Sequence, residues 1–312
     1  MAAVITLTLN PCVDVATRAP QVVPTHKLRC ETPVRTPGGG GVQVARCLHR
    51  LGHEVLALYT AGGHSGQQLH ALLDLEGVPH RSVPIAGDTR ESWHVLEADS
   101  GREFRFVMPG PTLSESEWPG VLEAWQHSLS GVRYAVLSGS LPAGVPPDAY
   151  VQLLRICRHQ GVPCVLDASG DALRLALQEG VDMVKPSLDE LRAYTGSPLE
   201  TTASQLHAVG DLVAQGRARM VVLSLGDQGA LLATTHGVWQ ANAPALQVVS
   251  AVGAGDSMVA GMVSAALLGM DEAQTLSWAT AVSAATISHA PGVLWKKEDP
   301  VALQRRVVLQ KL

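Results

Sequence analysis

The 312-residue sequence has no excess of positive charge and few cysteines. Its 23 Lys and Arg residues are outnumbered by 28 Asp and Glu residues, which gives a formal net charge of −5 at pH 7. No overall basic field is therefore available for nucleic acid, and an anionic substrate has to be held by a few local cations. The 5 cysteines are odd in number and show no Cys-x-x-Cys spacing, which argues against a disulfide framework and a zinc site.

The sequence also has no apolar run long enough to span a bilayer. Residues 4–9 follow no basic segment and include alternating Thr, so this segment is typical of a strand rather than of a signal peptide. We therefore expect a cytoplasmic protein with no membrane or nucleic-acid partner. No internal repeat is present, and 46% apolar residues can form a large core, which predicts a single α/β domain over residues 1–312.

From residue 134 onward, short apolar segments alternate with helical ones, which is the pattern of a parallel sheet with right-handed crossovers. Strands are expected at residues 134–137, 163–167, 181–185 and 220–224, with helices between them. The tail, residues 299–312, is predicted to be a closing helix. Ligands of such sheets bind at the carboxyl ends of the strands, where this sequence is rich in Gly, Ser and Asp.

Two stretches do not fit this alternation. Residues 21–35 are short, mixed polar and β-type, and residues 90–108 alternate around a turn at residues 98–101, which is a hairpin signal. Together they predict a small β-sheet that acts as a lid. Its exposed apolar positions would need a partner surface, so we expect a homodimer formed through the lid.

Residues 250–257, Ser-Ala-Val-Gly-Ala-Gly-Asp-Ser, combine a turn, a helix start and an acid. Gly253 and Gly255 permit a tight backbone path, and the unpaired amides of a helix start favour an anion such as a phosphate. Asp256 places a carboxylate there, where it can take a proton from a hydroxyl while the amides stabilise the group under attack. The alternative is an ordinary helix cap, since Asp and Gly are common at such positions.

Candidate sugar-binding residues each have a second interpretation. Asp14 follows the first strand and is as much a turn former as a hydroxyl-binding carboxylate. The glycines of residues 37–41 precede a helix, so they permit close backbone approach and hinge motion, or form a flexible linker. Arg90 and Arg105 lie on the predicted hairpin, where charges also protect an edge strand from aggregation.

Two further connections point to nucleotide binding. The acidic pair of residues 185–190 could orient hydrated Mg²⁺ or simply favour a helix N-terminus. The two glycines of residues 224–229 could form the floor of a nucleotide site, and a plain hairpin turn explains them equally well.

Six motifs occur along the chain in a fixed order. They are Asn10-Pro11 with Asp14, residues 37–41 with Ala45 and Arg46, residues 138–142, Lys185-Pro186 with Glu190, residues 224–229 and residues 253–256. In order and spacing these motifs resemble those of the ribokinase-like (PfkB) sugar kinases, over nearly the whole chain. The resemblance implies a three-layer αβα sandwich with a mostly parallel sheet and a β-sheet lid.

The resemblance also implies residue roles. Asp256 would be the catalytic base, the amides of Ala254, Gly255 and Asp256 would form the anion hole, and Gly253 would belong to the same catalytic motif. The residues implied to hold the sugar and its phosphate are Asp14, Lys27, Gly38, Gly39, Gln43, Arg90, Arg105 and Gly139. Those implied on the ATP side are Lys185, Ser187, Glu190, Ser224, Gly226 and Gly229, with Glu190 acting on Mg²⁺ through water.

The activity implied is ATP-dependent phosphorylation of fructose 6-phosphate at its C1 hydroxyl. Another ketohexose phosphate, or a catalytically silent sugar-phosphate sensor, is the alternative. Gly40 favours the 6-phosphate, because relatives acting on fructose 1-phosphate or tagatose 6-phosphate commonly have a lysine there. The chain departs from the family at Gln43 and Ser187, where Asn is usual, and at residues 288–292 near a monovalent-cation site, so dependence on K⁺ stays open.

Overall fold

The computed structural model describes residues 2–296 and 299–312. The strands are, in chain order, β1 (Val4–Thr8), β2 (Cys12–Ala19), β3 (Val34–Gly38), β4 (Val55–Ala61), β5 (His80–Pro84), β6 (Arg90–Glu97), β7 (Glu103–Val107), β8 (Tyr134–Ser138), β9 (Cys164–Asp167), β10 (Val181–Val184), β11 (Ala218–Ser224), β12 (Ala230–Thr234), β13 (Gly237–Asn242) and β14 (Val308–Lys311). The helices are α1 (Gly40–Arg50), α2 (Gly63–Glu76), α3 (Trp118–Ser128), α4 (Ala149–His159), α5 (Gly170–Glu179), α6 (Leu188–Thr195), α7 (Thr202–Ala214), α8 (Ala254–Leu267), α9 (Glu272–Ile287) and α10 (Asp299–Gln304).

The main sheet has the strand order β14-β13-β12-β11-β10-β9-β8-β1-β4-β5. From β5 to β11 neighbouring strands are parallel, and the pairs from β11 to β14 are antiparallel. All five residues of β1 are buried, as expected for a strand covered on both faces. The mostly parallel sheet predicted from the alternation of apolar segments is therefore confirmed.

Successive residues of the central strands point to opposite layers of helices. Ile5 and Leu7 pack in the apolar cluster that contains α3 to α7, whereas Val4 packs in the one that contains α1, α2, α8 and α9. Apolar side chains thus project from both faces of the sheet, and helices cover each face. The result is the three-layer αβα sandwich expected from the sequence.

The lid is a separate four-stranded sheet with the order β3-β2-β6-β7, and it contains the predicted hairpin of β6 and β7. Its other two strands differ from the prediction, because residues 20–33 contain no strand and β2 comes from the segment before them. Pro20, Pro24 and Pro33 explain this, since proline donates no ladder hydrogen bond. β2 was missed because Asn10-Pro11 indicates a turn, which hides the strand that follows.

The predicted closing helix over residues 299–312 is wrong in its second half. After α10 the chain forms β14, which pairs antiparallel with β13. The apolar and β-branched residues 307–309 suit a strand, and the edge of β13 offers free ladder positions. Over residues 2–296 and 299–312, no helix is both long and apolar enough to cross a membrane.

Candidate active site

The first turn of α8 carries Asp256 and the glycines around it. Gly253 is the N-cap residue and has a φ of 79°, a left-handed conformation that glycine adopts without strain. Amides of a first helical turn and the positive end of the helix dipole favour an anion. Because the amide of Ala254 makes a 3.4 Å hydrogen bond to the carbonyl of Ala251, the amides of Gly255 and Asp256 are the better placed donors of the predicted anion hole.

Asp256 lies beside an ion pair. The Lys185 Nζ is 3.1 Å from Asp167 Oδ1, and a Cβ added to Gly255 would lie 3.4 Å from the same nitrogen. Burial and the negative charge of Asp167 raise the pKa of Asp256 to about 7, against the lowering effect of Lys185. A carboxyl group with such a pKa can accept a proton near neutral pH.

Lys185 keeps its positive charge in this setting. Burial disfavours that charge, but the carboxylates of Asp167 and Glu190 outweigh it and raise the pKa of Lys185. Asp167 was not among the predicted site residues. It is the last residue of β9, and an acid at the carboxyl end of a parallel strand is the same signal that indicated Asp14.

The glycine run before α1 brings the sugar side of the site against Asp256. A Cβ at Gly38 would lie 2.5 Å from the carboxylate of Asp14, and one at Gly40 would collide with Ser138 Oγ and lie 3.2 Å from Asp256 Oδ1. Gly139 has a φ of 112°, and a Cβ added to it would lie 3.7 Å from the backbone nitrogen of Gly40. The predicted residues Asp14, Gly38 and Gly139 therefore gather around Asp256 because glycine leaves room for them.

Several buried polar atoms around the glycine run have no hydrogen-bond partner among the described residues. They are Thr8 Oγ1, Asn10 Oδ1 and Ser138 Oγ. Thr8 Oγ1 would be 2.6 Å from a Cβ at Gly41, and Asn10 Oδ1 borders Gly110 in the same way. Buried polar atoms normally have partners, so this lining suits a ligand with many hydroxyl groups. Asn10 and Ser138 belong to the sequence motifs and Thr8 ends strand β1, but no site role was predicted for any of the three.

The cations predicted to meet a phosphate lie on or next to the lid. Arg90, at the start of β6, donates to the carbonyl of Asn10 from Nη2 at 3.1 Å and to the carbonyl of Met108 from Nη1 at 3.3 Å. Arg105, on β7, is exposed, and its charge lowers the pKa of Asp256 as a minor contribution. Lys27 lies in the exposed connection between β2 and β3. Arg90 thus borders the site through Asn10, the charge of Arg105 reaches Asp256, and the role of Lys27 stays a prediction.

A cavity of about 630 Å³ lies on the other side of the α8 N-terminus. Ser224, Gly226 and Gly229, predicted for the nucleotide, line it together with Ala254 and Gly255. The remaining lining residues were not predicted and are Asp227, Ala243, Pro244, Ala245, Leu246, Val248, Ala251, Met258, Ser283 and Ile287. A mostly apolar cavity of this size suits an adenine and ribose, and it opens onto the predicted anion hole.

A family model described as pfkB family carbohydrate kinase matches residues 2–293. The chain belongs to the pfkB family of carbohydrate kinases. The ATP-dependent 6-phosphofructokinase isozyme 2 of Mycobacterium tuberculosis is 42% identical over 298 residues, which cover 96% of this chain and 87% of that protein. The enzyme of the same name from Escherichia coli K12 is 42% identical over 263 residues, covering 84% of this chain and 85% of that protein.

Solved structures of Escherichia coli phosphofructokinase-2 have the same fold. The complex with potassium superposes with a TM-score of 0.93 at 38% identity, covering 98% of this chain and 99% of that one. The complex with fructose-6-phosphate gives a TM-score of 0.92 at 37% identity with the same coverage. A tetrameric inhibited form of that enzyme gives a TM-score of 0.91 at 37% identity, again with this coverage.

This pfkB kinase has Gln43 where the family usually has Asn, and the side chain is held behind the glycine run. Its Nε2 donates to the carbonyl of Pro37 at 3.2 Å, and its Oε1 accepts from Arg46 Nη1 at 2.7 Å. Arg46, only 1% exposed, also donates to both carboxylate oxygens of Glu76 and to the carbonyl of Gly292. Direct contact of Gln43 with a sugar stays a prediction, and these bonds favour an indirect role through the loop.

Ser187, the second departure, forms a capping box with Glu190 at the start of α6. The Ser187 amide donates to Glu190 Oε2 at 2.7 Å, and the Glu190 amide donates to Ser187 Oγ at 3.2 Å. The helix-start interpretation of this acidic motif therefore holds for Glu190. An isolated β-bridge pairs Ser187 with Ser224, which lines the nucleotide cavity, so the motif also lies beside that cavity. The position of Glu190 is therefore compatible both with a helix cap and with a role at Mg²⁺.

Proposed function

We propose that this chain is an ATP-dependent 6-phosphofructokinase, which transfers the γ-phosphoryl group of ATP to the C1 hydroxyl of fructose 6-phosphate. The observation that carries this function is the place of Asp256. It lies between a hydroxyl-binding space formed by the glycine run and a nucleotide cavity that ends at the same helix start. Two relatives at 42% identity bear this name, and the fructose-6-phosphate complex of the Escherichia coli enzyme has the same fold.

Asp256 acts as the general base. Its pKa of about 7 lets it take the proton of the C1 hydroxyl as the oxygen attacks the γ-phosphorus. The amides of Gly255 and Asp256 stabilise the negative charge on the transferring group, and Lys185 adds a nearby positive charge. Catalysis then consists mainly of positioning and charge stabilisation, as phosphoryl transfer requires.

The sugar is held by two kinds of group. Asp14 and the unpartnered oxygens around the glycine run accept from its hydroxyls, whereas Arg90, Arg105 and Lys27 neutralise its 6-phosphate. Gly40 has no side chain and so provides no charge near the reacting end, and a Cβ there would press on Ser138. The phosphate therefore has to lie under the lid, which leaves the C1 hydroxyl facing Asp256.

Several further assignments belong to the same proposal. Glu190 has one oxygen bonded to its own helix start and would hold Mg²⁺ through water, and the ion would neutralise the ATP phosphates. Residues 288–292, which are held by Arg46 at Gly292, would border a K⁺ site. The chain would form one domain over residues 1–312 and act in the cytoplasm.

The lid residues Val34, Phe106, Val107 and Met108 are exposed and apolar, so they would form a homodimer interface.

An ADP-release assay over a panel of sugars tests the function. Fructose 6-phosphate should give the highest kcat/KM, and free fructose should be lower by several orders of magnitude for want of the binding energy of the phosphate. Tagatose 6-phosphate and fructose 1-phosphate complete the panel. A higher kcat/KM for either would replace fructose 6-phosphate as the substrate and make Gln43 the first position to mutate. No turnover of any sugar would return the chain to the silent-sensor alternative.

A further inference from the structure

Asp14 contacts two buried side chains that have no role in the chemistry described above. His94, on lid strand β6, has a side chain 5% exposed, and its Nε2 lies 3.9 Å from Asp14 Oδ1. The thiol of Cys12 donates to the same oxygen at 3.1 Å. Neither residue was singled out by a sequence motif as part of the site. Both lie on paired strands of the lid, Cys12 on β2 and His94 on β6.

The pairing of β2 with β6 explains why these side chains meet. The two strands are parallel, with Cys12 opposite Arg90 and Asp14 opposite Ser92. Side chains alternate along a strand, so Cys12 and Asp14 share one face of the sheet with Arg90 and His94. The strand that brings a phosphate-binding arginine to the site therefore brings His94 to the hydroxyl-binding carboxylate.

We propose that His94 and Cys12 are positioning residues that fix the carboxylate of Asp14 for the sugar hydroxyls. Both contacts fall on Oδ1, and Gly38 admits the carboxylate at a distance that any Cβ would exclude. No described residue donates a hydrogen bond to Oδ2, which leaves that oxygen to accept from the sugar. This inference rests on the proposed function, because it assigns Asp14 to the sugar.

The two contacts act in different ways. The thiol is a weak hydrogen-bond donor that sets the direction of Oδ1. A separation of 3.9 Å is too long for a hydrogen bond, so His94 limits the movement of the Asp14 carboxylate by steric contact. Its Nε2 also faces the carboxylate in a region of low dielectric constant, where electrostatic interactions are strong. His94 Nδ1 makes no hydrogen bond to a described residue. The ring is therefore oriented by packing and by its contact with Asp14 rather than by a partner on its far side.

The main test compares His94→Gln with His94→Asn. The amide nitrogen of Gln takes the place of Nε2, whereas that of Asn takes the place of Nδ1 and cannot reach Asp14. We expect His94→Asn and His94→Ala to raise KM for fructose 6-phosphate about 10-fold, with KM for ATP and kcat within about twofold of wild type. His94→Gln should restore most of the loss. His207→Gln, at an exposed position on α7, is the matched control and should leave all constants unchanged.

Action through Asp14 is tested by a double-mutant cycle. In an Asp14→Asn background, His94→Asn should add little to KM, because the carboxylate that it positions is gone. Cys12→Ala should raise KM for the sugar phosphate a few-fold and Cys12→Ser less, since the hydroxyl still donates.

Equal effects of His94→Gln and His94→Asn, a loss that falls on both substrates, or full additivity with Asp14→Asn would overturn the inference. Wild-type turnover of fructose 6-phosphate in the same assay would leave the proposed function standing in each of these cases. A wild-type enzyme that does not use fructose 6-phosphate would overturn the proposed function itself, and with it this inference.

Discussion

The start of α8 and the lid contribute to one site but are supported very differently. Residues 257–265 of α8 are all buried between the sheet and α9, so Asp256 is carried by a helix that is packed on every side. The lid strand β7 ends in three exposed residues, 105–107, and the lid strands pair with one another and not with strands of the main sheet. The group that needs accurate placement for proton transfer thus lies on the rigid layer, whereas groups that grip and release a substrate lie on a separate sheet.

The largest effect expected from this comparison is that of Asp256→Asn. The amide keeps the shape of the helix start but cannot accept the proton, so kcat should fall by about 10² to 10⁴. Nucleotide binding, measured by calorimetry, should survive because the cavity and the amides are unchanged. Near-normal turnover of this variant would show that proton removal does not depend on Asp256.

A lid cation should act on one substrate only. Arg105→Ala should raise KM for fructose 6-phosphate about 10- to 100-fold, since a charge-assisted contact to a dianion is lost, with little change in KM for ATP. Arg102→Ala is the matched control, because Arg102 lies in the same hairpin and its guanidinium pairs with Glu97. Equal increases of KM for both substrates would return Arg105 to the role of a solvated edge charge.

The pH dependence of kcat/KM tests the role of Asp256 at the start of α8. Because the pKa of Asp256 is raised to about 7, its protonated form predominates below that pH and the base is lost. We expect kcat/KM for fructose 6-phosphate to fall about tenfold per pH unit on the acid side, with one inflection near pH 7. Asp167→Asn removes a charge that raises this pKa, so the inflection should move to lower pH. An inflection that stays in place would exclude Asp167 as a cause.

The smallest effect on stability is expected at the exposed face of the lid. Phe106→Ser should change the free energy of unfolding by less than about 0.5 kcal/mol within one chain, while it weakens the proposed dimer in sedimentation velocity. Leu7→Ala, in the fully buried strand β1, should cost about 3 kcal/mol in urea unfolding. A dimer of normal affinity in Phe106→Ser would place the interface elsewhere.

The sequence predicted best those parts of the site that depend on local order. The glycines and Asp256 at the start of α8 are adjacent in sequence, and the hairpin of β6 and β7 is a local alternation around one turn. Asp167 was missed because its importance depends on Lys185, which meets it only after β9 and β10 pair. The lining of the nucleotide cavity at residues 243–248 carries no secondary-structure period, since this segment is neither helix nor strand.

Strand β2 of the lid and strand β14 of the tail were missed for a related reason. β2 and β14 are recognisable only from the strands that accept them, β6 and β13, which lie far away in the sequence. Pairing over such distances depends on tertiary context rather than on the propensity of the segment itself. Gln43 was predicted from its place in a family motif to bind the sugar. In the structure a nearby residue decides its contacts instead, because its Oε1 accepts a hydrogen bond from Arg46 on the same helix.

The guanidinium of Arg46 also links parts of the chain that are distant in sequence. It joins α1 to the carbonyl of Pro37, to Glu76 at the end of α2 and to Gly292. A lysine could not make these bonds, because one nitrogen cannot reach a carboxylate and two carbonyls in different directions. Local opening of the glycine run therefore also has to break the hydrogen bond from Arg46 to the carbonyl of Gly292, which holds residues 288–292. In hydrogen exchange these two segments should open as one cooperative unit, and Arg46→Lys should separate their rates.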